Sequence, residues 1–502
     1  METLRPKAVT ALFEDFKTRL DPGNRLNPGK IVFPAAPNEQ MLRSQPHSDG
    51  LPALTALDCN GTALCRRLDG GGAMCPSFRL TRNERDAPRG RANTLRLALA
   101  GEFGPDALGS DEMAETMALC LSCKACKAEC PRSVDIAQAK ILTQEARIAR
   151  TGLSRYERTA AFLPHYAHRM RGRRHFLNLR DILPWAARVS ERLTGVSADR
   201  PWPHWSAAPF HAGSFALEDR AGESAGREIV LFADTFNSHF DPVTLRAAAD
   251  VLSASGFRLS LLAPPPGERP YCCGRTFLEA GLVEEAAAEG ARLIAAAKPY
   301  IQRGAALVGM EPACLLTLRD EFRSTLALDG ADELSSASFL FEEIMSEAGA
   351  SGRVQPKLRR IEADVLVAAH CHQRAFKTAG LARQLAALVP GTAVTEAETA
   401  CCGMGTLFGY RPDAVAPSLA MGELVLFPQI RRASLDTLMI ADGFACRKQI
   451  SDGTGRTARH TAVLLKLSLA AKEKFGSDGD GGAEKDDKIV KRLRRLRKNY
   501  FR

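Results

Sequence analysis

Four cysteines fall within eleven residues, Cys120, Cys123, Cys126 and Cys130, and Pro131 follows. The spacing is C-x2-C-x2-C-x3-C-P. Three thiolates three residues apart can wrap a loop around one corner of an iron–sulfur cube, and thiolate is the soft, electron-rich ligand that this iron takes. In two-cluster proteins of this pattern the fourth cysteine, before the proline, serves the other cluster. The motif therefore asks for a partner. One lies upstream in "CNGTALCRRLDGGGAMCP", with Cys59, Cys65, Cys75 and Pro76. Thr62 stands where the template has a middle cysteine. Exchange of fourth ligands gives one complete set, Cys75, Cys120, Cys123 and Cys126. The other set, Cys59, Cys65 and Cys130, is one ligand short. It holds a three-iron cluster, a four-iron cluster with a non-cysteine ligand, or no cluster, its thiols then packing as small hydrophobes. Zinc is the rival metal, since C-x2-C also begins zinc sites.

Seven more cysteines lie in an internal repeat. "IVLFADTF" (229–236) matches "DVLVAAHC" (364–371), "PYCCGRTF" (270–277) matches "TACCGMGT" (399–406), and "ALVGMEPAC" (306–314) matches "LMIADGFAC" (438–446). The offsets, 135, 129 and 132 residues, keep the same order with small insertions. The first copy carries Cys272, Cys273 and Cys314; the second carries Cys371, Cys401, Cys402 and Cys446. Each Cys-Cys pair precedes a glycine, which lets the backbone turn sharply beside whatever the thiols hold. Adjacent cysteines rarely pair with each other, because that disulfide is strained. The pattern points to a metal or cluster site between two lobes, or to a degenerate duplication whose thiols now only pack. Phe236 occupies the position of Cys371. His370 and His372 flank Cys371 and read as hydrogen-bonded structural residues rather than ligands.

The elements that position these residues change along the chain. Residues 1–35 hold one helix, a turn at "DPGNRLNPGK" and an extended exit, and 36–55 form a linker. Residues 56–150 are helical, with patterns at "GRANTLRLALAG", "DEMAETMALC" and "SVDIAQAKILTQEARIAR", the last with Ser133 as its N-cap. "GGG" at 70–72 reads as a turn, and Arg89 and Arg91 as solvated surface. Residues 151–225 form a helical connection. From 226 the runs "EIVLFAD", "ALVGMEP", "DVLVAAH" and "TLMIADG" alternate with Ala-rich helices, the signature of βαβ units and parallel sheets. The expected architecture is α+β and multi-domain: a helical iron–sulfur domain, then duplicated α/β lobes at 226–350 and 351–470. Residues 471–502 read as a disordered linker and basic tail.

The 502 residues are 45% hydrophobic and 25% charged, ordinary for a soluble chain. No apolar run approaches the roughly 20 residues that span a bilayer. The N-terminus lacks a signal core, so a cytoplasmic location is expected, where thiols stay reduced and clustered cysteines serve metals or redox chemistry. The net charge of +10 is concentrated in "KIVKRLRRLRKNYFR", with eight Lys or Arg and no acid. A nucleic-acid-binding face is therefore not expected. The tail's apolar residues recur at helical spacing and fit an anionic membrane surface, an acidic partner or a merely solubilising end.

"CLSCKACKAECPRSVDI", the two "CCG" motifs, "EPAC" and "GFACRKQISDGTGR" together resemble the iron–sulfur half of bacterial FAD-linked 2-hydroxyacid dehydrogenases of the D-2-hydroxyglutarate dehydrogenase type. The iron–sulfur part of glycolate oxidase and other CCG-domain proteins are related. The resemblance covers about residues 10–468. It implies a ferredoxin-like domain at 56–150, two CCG lobes, and an N-terminal 1–35 that matches the tail of a flavin-linked oxidase domain. It implies one [4Fe-4S] cluster with room for a second. FAD is expected on a partner chain or a missing N-terminal half, with no FAD-binding residue here. The implied function passes electrons from flavin to an external acceptor, a quinone, cytochrome or flavoprotein. The alternatives are a heterodisulfide-reductase-like thiol/disulfide enzyme and a non-enzymatic zinc-stabilised scaffold. Thr62, Phe236 and Glu311 depart from the family pattern.

Overall fold

The computed structural model describes residues 7–29, 32, 54–68, 72–211, 227–265, 267–350, 356–398, 401–406 and 408–469. The extended exit after the first turn, most of the linker at 36–55, Gly70 and Gly71 of the expected turn, and the tail at 471–502 lie outside the described residues.

Helix α1 (Lys7–Leu20) leads in. The first cysteine-rich region is helical throughout: α2 (Pro76–Thr81), α3 (Pro88–Leu99), α4 (Asp111–Met117), α5 (Ala125–Glu129) and α6 (Ile136–Thr151). Pro76 and Pro88 open their helices, where a missing N–H costs nothing. Ser110 caps α4 by accepting from the Met113 N–H. The cap of α6 is Asp135, not Ser133: its carboxylate accepts from the Ala137 and Gln138 amides at 3.0 and 3.1 Å. Ser133 instead turns the chain with φ near 50°. Gly90 lets α3 lie against the turn at Glu84–Asp86, since a Cβ there would stand 2.0 Å from the Glu84 carbonyl oxygen. That contact sets the depth at which the next residue, Arg91, enters the core. Helices α7 (Arg155–Ala161), α8 (Arg174–Leu179) and α9 (Pro184–Thr194) follow.

Two α/β lobes come next. The first contains β1 (Glu228–Phe232), α10 (Thr235–His239), α11 (Pro242–Ala254), β2 (Arg258–Leu261), α12 (Arg275–Ala280), α13 (Val283–Gln302), β3 (Ala306–Gly309), α14 (Pro312–Arg319), β4 (Ser338–Leu340) and α15 (Phe341–Ala350). The second contains β5 (Ala363–Val367), α16 (Cys371–Ala375), α17 (Gly380–Ala387), β6 (Thr392–Glu396), β7 (Leu438–Ile440), α18 (Phe444–Thr454), β8 (Ala458–Arg459) and α19 (Thr461–Ser468). Both sheets are parallel and share one strand order, β2-β1-β3-β4 and β6-β5-β7-β8. Val230 pairs with Leu307, and Val365 with Leu438. The four expected apolar runs are the inner strands. The outer strands are short or polar-alternating ("RLSL", "TAVTE") and carry no comparable apolar run.

Strand periodicity divides the core. Ile229 and Leu231 of β1 and Val365 and Val367 of β5 point into one shared core with Leu252 of α11 and Leu464 of α19. Val230 and Phe232 point the other way, into the first lobe's own core, and Leu366 into that of the second. The two lobes are thus joined by a common apolar layer. Leu252 is fully buried in it. Leu252→Ala is expected to cost about 2–5 kcal/mol and to move a single cooperative urea transition that reports both lobes. Two separate transitions, one of them unmoved, would show that the layer does not couple the lobes.

Candidate metal centres

Two residues with positive φ, Ser122 (51°) and Lys124 (59°), separate the cysteines of the loop. Such alternation curls successive backbone N–H groups into a concavity that suits an anionic cluster. Cys75 arrives at the N-cap of α2. Cys75, Cys120, Cys123 and Cys126 then line one space of about 340 Å³, with Met74, Pro88 and Ile136 among its walls. None of the fourteen cysteines is paired in a disulfide. Burial pushes the Cys123 and Cys126 thiols well up. Three of these cysteines are buried and Cys123 is half-buried; four thiolates so placed need a compensating cation, and the donor set fits thiophilic metals such as the iron of a cluster or zinc. Arg91 is buried, not a solvated surface residue. Its Nε donates to the Thr116 carbonyl at 2.9 Å, one Nη to Ser77 Oγ at 3.1 Å, and the other Nη lies 3.8 Å from Cys75 Sγ. Sequence reasoning missed it because a buried arginine and a surface arginine carry the same letter. Arg89 pairs with Glu84.

Of the second set, Cys65 is buried and Cys59 and Cys130 are half-buried against the same helical core. Burial pushes the Cys65 thiol up, with Cys75 and Cys59 close enough to add to it. Arg96 holds the Leu57 and Cys59 carbonyls at 3.0 and 3.1 Å. Glu129, next to Cys130, accepts from the Ala73 and Met74 amides at 2.6 and 3.1 Å, tying the two motifs together. Thr62 is exposed.

In the lobes, Cys314, Cys371, Cys401 and Cys402 line a mostly apolar space of about 520 Å³ with His370, His372, Arg275, Glu311, Phe236 and Phe444 among its walls. Hydrogen bonds from Cys401 and Cys446 hold the Cys402 thiol well below its usual range. The same bonds raise Cys446, and bonds to Cys371 and Cys402 raise Cys401. Cys272 and Cys273 are absent from the walls. They lie in the first lobe's core, where Cys273 bonds to Cys314. Phe236 stacks on Phe444 at 5.6 Å and fills the position that Cys371 has in the second lobe. The carboxylate of Glu311 accepts from the Phe444 amide at 2.7 Å. Burial, with Asp234 close by, pushes Glu311 up to about 8. His370 caps α16, its Nδ1 accepting from the His372 amide at 3.1 Å, and His372 Nε2 lies 3.0 Å from the Ser122 carbonyl oxygen. Both histidines have structural partners.

The loop and the lobes meet. Leu121 walls both cysteine-lined spaces, and Cys123 packs with Cys371 and Cys401 in one apolar cluster. Beyond Ser122, Lys124 is buried between Asp320 and Glu321, and Lys127 lies 2.7 Å from Asp320. Lys140 donates to the Cys120 carbonyl at 2.8 Å.

This is the arrangement of an iron–sulfur protein. Residues 55–134 match the model of the 4Fe-4S dicluster domain. Over 90% of its length the chain is 25% identical to the D-2-hydroxyglutarate dehydrogenase of Pantoea ananatis, and over 89% it is 25% identical to that of Escherichia coli K12. It covers 48% of each, so it spans about half the length of these relatives. It is also 24% identical to one of the subunits of the anaerobic glycerol-3-phosphate dehydrogenase of Escherichia coli K12, over 48% of this chain and 59% of that one. These relatives are dehydrogenases, and the resemblance to the D-2-hydroxyglutarate dehydrogenase type, with a 4Fe-4S domain, holds.

Burial opposes ionisation of Asp320, but Lys124 and Lys127 outweigh it and hold the carboxyl at about 2. A depressed folded-state value stabilises the fold above the unfolded value of 3.8, and the contribution is lost as pH falls toward 2. Asp320→Asn is expected to cost about 2 kcal/mol at neutral pH. The gap from the unsubstituted chain, followed by urea unfolding at graded pH, should begin to close below pH 4; a gap independent of pH would refute the pairing.

Proposed function

We propose that this chain is the electron-transfer part of an FAD-linked 2-hydroxyacid dehydrogenase of the 2-hydroxyglutarate, lactate or glycolate type. The single observation that carries the reading is the wall at Leu121, which puts the Cys75/Cys120/Cys123/Cys126 space beside the Cys371/Cys401/Cys402 space. Cys75, Cys120, Cys123 and Cys126 would hold a [4Fe-4S] cluster, and Cys59, Cys65 and Cys130 a second. Cys371, Cys401, Cys402 and Cys446, with Cys314 opposite, would form the site of the lobes. A bound cluster supplies one-electron capacity with little ligand movement. The chain's own residues exclude water, fix the ligand loop and set its electrostatics: Leu121 and Met74 by packing, His372, Arg275 and Lys140 by holding backbone carbonyls, Arg91 by its charge beside Cys75.

The division into a ferredoxin-like domain at 56–150, a connection at 151–225 and two CCG lobes at 226–350 and 351–470 descended from a duplication is supported by the common strand order. The flavin would sit on a partner chain or domain. An exposed stripe on α1, with Val9, Leu12, Phe16 and Leu20 at helical spacing, gives that partner an apolar surface to cover. The acceptor would be a quinone, a cytochrome or another flavoprotein. Among the described residues no helix is long and apolar enough to cross a membrane. We place the chain in the cytoplasm, with the basic tail touching the inner membrane face.

The test is anaerobic purification with iron and acid-labile sulfide quantified together. About four to eight irons with matching sulfide are expected, and the paired Cys120→Ser and Cys126→Ser variant should lose about four of them. Reduced flavoprotein half should bleach the chain's visible absorbance. Zinc without sulfide would support the scaffold reading instead, and turnover of disulfides by the dithionite-reduced chain alone would support the thiol/disulfide one.

Arg91 should matter to the potential. Removing a buried cation beside a ligand sulfur disfavours the reduced, more negative state. Arg91→Gln is expected to lower the midpoint of the loop's cluster by tens of mV, on the order of what hydrogen bonds to sulfur contribute. A redox titration followed by paramagnetic resonance reads this directly, and an unmoved midpoint would remove Arg91 from the tuning role.

A further inference from the structure

Helix α9 carries an apolar stripe that the protein does not cover. Trp185, Val189 and Leu193 recur every four residues and share one face. Trp185 is 66% exposed and Leu193 71%. Ile182, one turn earlier, is 71% exposed, and Phe176 on α8 is 78% exposed. The opposite face is anchored: Ala187 is buried, Thr159 donates to the Thr194 carbonyl at 3.0 Å, and Glu191 accepts from the Ala198 amide at 2.7 Å. The helix is thus held to the body by one side and presents the other outward.

The charge around the stripe is one-sided. Residues 165–194 contain seven arginines and two acids. Asp181 is taken by Arg180, and Glu191 faces inward. Arg188 and Arg192 flank the stripe, and Arg169 and Arg173 precede it; all four are exposed, and none forms an ion pair among the described residues.

We propose that this face of α9, with the arginine-rich segment before it, docks on an anionic lipid surface. An exposed stripe of Trp, Ile, Val and Leu bordered by arginines matches a helix lying in the bilayer interface, with apolar side chains among the acyl chains and guanidinium groups at the phosphates. The arginines beside the stripe are complementary to lipid phosphates, and the stripe's width of one helix face matches insertion at the bilayer interface. The proposal uses no residue of the basic tail and does not depend on the electron-transfer reading.

The test is cosedimentation of the full iron-loaded chain with vesicles. Binding is expected to vesicles containing roughly 30% phosphatidylglycerol, to weaken with added salt, and to be slight on pure phosphatidylcholine. The double variant Trp185→Ser, Leu193→Ser should lower binding at least about tenfold with iron content and unfolding unchanged. Arg188→Glu with Arg192→Glu should remove the preference for the anionic vesicles. Removal of residues 471–502 should leave binding that still responds to the α9 variants. The proposal is overturned if the intact chain ignores anionic vesicles, or if tail removal abolishes binding while the α9 variants leave it intact. It is equally overturned if those variants spare vesicle binding but lose a flavoprotein partner, which would make the face a protein interface.

Discussion

The structure depends on placing buried positive charge around a loop made of thiols. Lys124 is almost wholly buried, and burial alone would lower its affinity for a proton; Glu321, Asp135 and Asp320 more than reverse this. Arg275 is buried with Glu279 and Glu321 as partners and reaches toward the Ser122 carbonyl at 3.5 Å. Buried ion groups of this kind contribute little net stability, and breaking them is costly because a charge is left alone. What they provide is registry. Lys124 can satisfy itself only when the helical region sits at one height on the first lobe, and His372 meets Ser122 only when the second lobe closes from the other side. The loop is held from both flanks, by Lys124 on Asp320 and Glu321 and by His372 at the Ser122 carbonyl.

That registry explains why the lobes, though built on the same strand order, are chemically unequal. Equivalent positions carry Phe236 and Cys371, and Glu311 and Gly443. In the first lobe the aromatic ring fills the space a thiol would need, and the carboxylate ties down the Phe444 amide of the other lobe. Gly443 has to remain small, because a Cβ there would lie 2.3 Å from the His370 ring. The first lobe walls a space whose thiols come mostly from the second. Its pair Cys272 and Cys273 lies in the first lobe's core, where the Cys273 bond and burial push Cys272 well up and burial pushes Cys273 well up.

Much of this was legible in the residues. The spacing of the loop cysteines and the rule that the fourth ligand is exchanged group Cys75 with Cys120, Cys123 and Cys126, and these four line one space. The inner strands declare themselves as apolar runs because parallel strands are covered on both faces. The outer strands do not, since β2 and β6 have a partly exposed face and β8 is only two residues long. Ser133 and Asp135 compete for the cap of α6 because both residue types cap well, and only the path of the chain decides for Asp135. Arg91, Lys124 and Arg275 could not be recognised as buried, because burial depends on which elements pack over them, and for Lys124 and Arg275 these include Asp320 and Glu321, far away in sequence. Nor does the split of the seven lobe cysteines follow from the repeat, which preserves order and says nothing of which copy faces the cavity.

The proposed relay would have to keep its parts still, since rearrangement of the sites raises the activation barrier to electron transfer. The shared core between the sheets answers this need. It places the strand ends, and therefore Asp234, Glu311, His370 and Asp442, on one rigid layer. Each of these residues is engaged: Asp234 with the Asn237 amide, Glu311 with Phe444, His370 with His372, and Asp442 with Thr461 and Gln373. The side chains that shape the lobe site therefore inherit the rigidity of the sheets rather than that of the loops they start. The loop at Cys120–Cys126 has no sheet beneath it and borrows the same stiffness through Ser122 and Lys124. The buried charges and the apolar layer are in this sense one device, with the layer fixing the two lobes and the charges extending that fixity to the loop.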